Sequence, residues 1–103
     1  MDLDAVRAFL TERLSEDERR AAAGGVPLLE EAERLGRLHV LRSDDGTGLL
    51  LAPIASPGEP VSFAEKAPLL RAEIAVADED TLRLLATAYD AHHGWQEEWR
   101  VQQ

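Results

Sequence analysis

A chain of 103 residues with no cysteine has neither a disulfide nor a thiolate metal site to hold it together. Whatever it folds into must rest on an apolar core, and at this length that core leaves little stability margin. Leu, Val and Ile supply 24 side chains, enough for one compact domain spanning residues 1–103. The pattern in which those side chains recur therefore decides the fold.

Leu3, Val6, Leu10 and Leu14 recur at i, i+3, i+7 and i+11 with Phe9 beside them, which predicts an amphipathic helix over 3–22. Asp2 or Asp4 can cap its start, and Gly24-Gly25 can end it. Its "SEDERR" face reads as solvated charge. A second, shorter helix opens at Val26-Pro27, with Pro27 in the first helical position, where a missing N–H is harmless. Leu28, Leu29, Ala32 and Leu35 form its expected apolar stripe, and Gly36 stops it.

"RLHVLRS" and "LLLAPIA" flank "DDGTG", apolar runs around an Asp-Gly turn that predict a β-hairpin over about 37–55. Pro53 carries no ladder donor, so the second strand should end early. "SPGEP" reads as a loop. Ser62 with Glu65 has capping-box spacing, although Pro68 obscures the helix start. From Leu69 to about Ala91 the chain reads as helical, with Leu70, Ile74, Ala77, Leu82, Leu85 and Tyr89 near one face. "ADEDT" should divide it, with Asp78 or Asp80 capping the second part, and Trp95 to Val101 forms a last short helix. The expected fold is α+β: two N-terminal helices, a hairpin, and a helical C-terminal half.

Twenty acids against eleven bases give a net charge of −9. The excess is spread over both halves of the chain, so neither end is an acidic tail or a basic arm. Such a surface repels nucleic-acid backbones and anionic membranes, whose affinity for proteins comes from Lys and Arg. No direct nucleic-acid or membrane partner is expected. The acidic start has no basic n-region of a secretion signal, and no apolar run is long enough to span a bilayer. The expected location is the cytoplasm.

Ser43-Asp44-Asp45-Gly46-Thr47 resembles the D-x-D-G-T motif of haloacid-dehalogenase phosphatases. Ser43 stands where that chemistry needs an Asp nucleophile, so the segment reads as a turn. The glycines form no phosphate loop, and the only lysine, Lys66, follows none. His39 in an apolar strand reads as a packing residue. The remaining cluster is "TAYDAHHGWQEEWR", with Asp90, His92, His93 and Glu97 as candidate metal or proton-transfer groups. On an unbroken helix Asp90, His93 and Glu97 would share one face, a geometry open to Zn²⁺. Glycine is disfavoured inside a helix and favoured just past its end. Gly94 therefore predicts a break that separates Glu97 from the others, and Tyr89, His92, Trp95 and Trp99 then read as a structural clasp.

The run Leu82-Arg83-Leu84-Leu85-Ala86, followed by Tyr89, His92 and Glu97-Glu98-Trp99-Arg100, resembles the C-terminal signature of an uncharacterised actinobacterial family of small proteins. That signature reads much like L-R-L-L-A-L-P-Y-A-D-H-P-D-Y-R-E-E-W-R-P. The segment from Ala5 to Ala22 is similar to the same family's first helix; the middle of the chain is not covered. The family pattern has Pro at the positions of Ala88 and His93. A Pro at the latter implies a chain turn after His92, in keeping with Gly94. The resemblance implies a lineage without an activity, cofactor or metal-ligand set.

No catalytic constellation and no cofactor site follow from these residues. The leading expectation is a non-enzymatic interaction or accessory protein that binds a protein partner or itself. Two alternatives stand beside it. One is a metal-binding protein or enzyme using the C-terminal His/Asp/Glu cluster. The other is an acidic mimic of nucleic acid, which ten interspersed arginines weaken because a mimic needs a continuous face of one sign.

Overall fold

A computed structural model describes residues 1–43, 45, 48–53 and 61–101. Helix α1 (Leu3–Ala22) starts at Asp2, whose side chain accepts from the Asp4 and Ala5 amides. It ends ahead of Gly24, where a positive φ of 85° suits a residue without Cβ. Helix α2 (Leu28–Arg34) is closed by Gly36 at φ 75°. Strands β1 (His39–Arg42) and β2 (Leu49–Ala52) form an antiparallel hairpin with His39 opposite Ala52 and Arg42 opposite Leu49. Helices α3 (Phe63–Val76) and α4 (Glu79–Thr87) follow, and a 3₁₀ turn spans Glu97–Trp99. Among the described residues the architecture is α+β, four helices and a two-stranded antiparallel hairpin.

Capping sets these boundaries. Ser62 Oγ accepts from the Glu65 amide at 3.3 Å, so α3 begins six residues before the expected Leu69 and carries Pro68 inside it. The lost i→i−4 bond at Pro68 is tolerated within a helix fixed by tertiary packing. Asp78 starts α4 by accepting from the Thr81 amide at 2.9 Å. Pro27 is not the first helical residue but the residue before it, with ψ of 143°. Pro53 follows the last residue of β2, where its missing donor costs the ladder nothing. Asp44, Gly46 and Thr47 of the predicted turn, and the predicted loop 56–60, lie outside the described residues.

The core is built where the elements meet. Val6, Leu10 and Leu14 of α1 pack with Leu29 and Ala32 of α2, Leu70 and Ile74 of α3, and Leu82 and Leu85 of α4. Helix α1 lies against both α3 and α4. No basic residue sits in the last turn of α3. Arg7 of α1 supplies one instead, donating to the Ile74 carbonyl at 3.1 Å and the Ala77 carbonyl at 2.7 Å, the end of a helix that favours a cation. Arg42 reaches Glu65 at 2.6 Å and ties β1 to α3. No helix among the described residues is long and apolar enough to cross a membrane.

Candidate functional site

The C-terminal cluster begins where α4 stops. After Thr87 the amides of Ala88, Tyr89 and Asp90 bond back three residues, to Leu85, Ala86 and Thr87. The His92 amide then reaches the Tyr89 carbonyl at 2.9 Å, and Trp95 that of His92 at 3.0 Å. The chain thus leaves the helix axis about four residues before the expected Ala91. Gly94 sits in close quarters: a Cβ would lie 3.2 Å from His92 Nδ1 and 3.4 Å from Phe9 Cε1, so those side chains would have to give by a few tenths of an ångström.

This path disperses the candidate ligands. Asp90 is clamped by Arg37 through both guanidinium nitrogens, Nη1 to Oδ1 at 3.0 Å and Nη2 to Oδ2, and the Arg37 hydrogen bond holds its carboxyl below the usual range. Glu97 pairs with Arg100 through two bonds of 2.8 Å and is lowered in the same way. Arg100 also covers the Trp95 ring at 5.1 Å. The Gly94 amide donates to His92 Nδ1 at 2.9 Å, and Arg13 Nη1 lies against the same ring, 3.0 Å from Nδ1. Its pKa is lowered by desolvation first, then by the charge of Arg13. His93 stacks on His92 at 4.3 Å. Among the described residues, no three His, Asp or Glu side chains come together where they could hold a metal ion.

The residue that organises this region is one the sequence placed on the wrong face. Asp17, within "SEDERR", is fully buried. Its carboxylate accepts from the amides of Leu28 (2.9 Å) and Leu29 (3.1 Å), from Arg20 Nη1 (3.1 Å) and from Tyr89 Oη (2.8 Å). It therefore supplies from α1 the cap that Pro27 cannot give α2. The signal was present: three residues after Leu14, position 17 continues the buried stripe of α1.

Phe9, Arg13 and Asp17 stand at i, i+4 and i+8, one row of the helix. Opposite them lie Trp99 at 4.9 Å from the Phe9 ring, His92 on Arg13, and Tyr89 on Asp17. Tyr89 and Trp99 are buried and Trp95 is half-buried. Burial and the charge of Asp17 push the Tyr89 hydroxyl well above its ordinary pKa. Arg83, also buried, donates to the carbonyls of Glu98 and Arg100, the latter at 3.0 Å, and fixes the last turn.

The Arg37–Asp90 pair also divides two clefts. One, of about 250 Å³, lies among Pro53, Thr87, Trp95 and Arg100. The other, of about 290 Å³, runs between α2 and the 88–92 turn and is lined by Leu28, Ala32, Leu35, Ala88, Tyr89 and Ala91. Here the expected stripe of α2 splits. Leu29 and Ala32 face the core, while Leu28 and Leu35 are 38% and 66% exposed. Leu28 and Leu35 are seven residues apart and share a face of their own, turned to solvent. A third cleft, of about 410 Å³, is bordered by Glu30, Glu33, Arg34 and His39. Lys66 lines it while buried, its Nζ 2.7 Å from Glu33 Oε1. No protein-family model, no curated protein and no solved structure matches this chain.

Proposed function

We propose that this is a small acidic, non-enzymatic interaction protein that docks a protein through the outer face of α2. The observation carrying this reading is the groove between α2 and the 88–92 turn, flanked by the solvent-exposed Leu28 and Leu35. Exposed large aliphatic side chains grouped around a concavity are a feature of docking surfaces, whereas single ones are ordinary. The groups with chemical potential point the same way. Asp90, Glu97 and His92 are each engaged by an arginine of the same chain, and among the described residues no three His, Asp or Glu side chains gather where they could hold a metal ion.

Site-directed photo-crosslinking in the cells that make the protein tests this. A crosslinking residue at Leu35 should give discrete adducts. One at Val76, more exposed still at the far end of α3, should not. Indistinguishable patterns from the two positions, together with a monomer in light scattering, would overturn the proposal.

A further inference from the structure

We infer that His92 is a proton-operated latch: in acid its ring leaves α1, and the part of the groove wall formed by residues 91 and 92 is remade while the core stays folded. This goes beyond the docking reading and rests on it only for what the groove holds.

Every hydrogen-bond partner of the ring is a donor. The Gly94 amide donates to Nδ1 at 2.9 Å, and Arg13 Nη1 lies 3.0 Å from Nδ1 and also against Nε2. A neutral imidazole keeps one nitrogen to accept such bonds, whereas both nitrogens of an imidazolium are donors. Protonation therefore breaks the Gly94 bond and sets a second cation against the Arg13 guanidinium.

The charged groups around the ring do not relieve this. On α1, Glu12 and Glu16 already take Arg13 at 3.3 and 2.9 Å. Asp17, next along the row, is engaged by Arg20, Tyr89 and two amides. On the turn itself, Asp90 is clamped by Arg37, and the His93 ring stacks on His92 at 4.3 Å. Across the groove Glu31 is held by Arg34 at 3.0 Å. Desolvation, then Arg13 and His93, disfavour the charged ring, and of these neighbours Glu16 favours it without offsetting them.

What else each partner holds decides which one moves. Arg13 is buried and keeps Glu12, Glu16 and the Phe9 ring at 5.1 Å after His92 has gone. His92 is only half-buried, so its charged ring has solvent within reach. The chain is pinned on both sides of it. Before it, Tyr89 is held by Asp17 at 2.8 Å and Asp90 by Arg37. After it, Arg83 holds the carbonyls of Glu98 and Arg100. Movement is thereby confined to the short stretch around His92, where Ala91 and His92 line the groove.

The test is an NMR titration of the isotope-labelled full chain from about pH 8 to about pH 4.5, with no partner added. The Ala91 and Gly94 amides and the Leu28 methyls should follow the His92 ring through one shared midpoint below 6.5, with Leu10, Leu82 and Tyr89 unshifted. His92→Gln, which stays neutral, should abolish the groove transition, and His93→Gln should keep it. Groove resonances that still titrate in His92→Gln overturn the inference, as does a His92 ring that titrates without moving them. Core resonances lost at the same midpoint overturn it too, because the event is then global unfolding. Leu35 crosslinks that persist in any of these cases leave the docking reading standing. Their loss, with the titration intact, removes that reading and leaves the latch.

Discussion

Tyr89 donates its hydroxyl to Asp17 Oδ2 at 2.8 Å across 72 residues of sequence. That bond joins the turn after α4 to the carboxylate that caps α2, so three elements meet at one buried charge. Asp17→Ala strands two backbone amides and a phenol, and is expected to cost about 3–5 kcal/mol, the range for removing one member of a buried charged network. Tyr89→Phe removes one bond to a charged acceptor and should cost about 1.5–3 kcal/mol. Urea unfolding of both variants and of the double variant measures this, and a coupling near zero between the sites would contradict it.

The same bond sets an alkaline limit. Tyr89 keeps its proton in the folded state to a higher pH than its ordinary value of 10.0. Above that value the unfolded chain releases the proton and the folded chain does not. Stability is then complete below about pH 10 and declines as pH rises past it. Unfolding free energy followed from pH 8 to 11 should fall at the upper end in the parent, and by less in Tyr89→Phe.

On the acid side His92 works in the opposite sense. Its folded pKa is depressed below the ordinary 6.5 by desolvation and by Arg13. The unfolded chain therefore takes up a proton first. Stability is complete above about pH 6.5 and falls as pH drops toward the folded value. The carboxyl of Asp90 stays ionised below its usual 3.8, so its contribution persists above that value and disappears as pH falls through the folded value. His92→Gln should flatten the first step in an acid titration of stability and leave the second.

Lys66 and Glu33 offer an asymmetric pair. The ammonium is buried to within 2% while the carboxylate keeps 24% exposure. Glu33→Ala leaves a buried cation with no carboxylate and should cost roughly 3 kcal/mol. Lys66→Met removes the charge itself and fills similar volume, so its cost should be below about 1.5 kcal/mol. Reversal of that order in thermal or urea unfolding would show that the pair, and not desolvation, dominates.

Zinc, manganese and nickel provide a further check. With Asp90 on Arg37 and Glu97 on Arg100, added metal should leave the melting temperature unchanged. A saturable calorimetric signal lost in Asp90→Asn would revive the metal reading.

The helices could be read from spacing because their apolar stripes are long and their caps local. Asp2, Ser62 and Asp78 each bond within three residues of their own position, and such signals survive in a linear sequence. Asp17 could not be assigned that way. Apart from Arg20, its partners lie 11, 12 and 72 residues off; the stripe of α1 marks position 17 for burial but not which distant donors meet it. The reading of α2 failed for a related reason: a seven-residue helix with leucines on two adjacent faces does not say which face meets the core. At the C-terminal cluster the helix ends at Thr87, ahead of the break expected at Gly94, and the arginines that engage Asp90 and His92 are Arg37 and Arg13, which periodicity cannot link to them.

The row Phe9, Arg13 and Asp17 has a consequence for synthesis of the chain. Its partners Tyr89, His92 and Trp99 are translated after α4, and the contacts between the row and these partners close loops of more than 70 residues. While the ribosome holds that stretch, Asp17 lacks the Tyr89 hydroxyl and the Phe9 ring lacks Trp99. Closing such loops is slow on the folding scale. The row on α1 is therefore expected to complete its contacts only after Trp99 has left the exit tunnel.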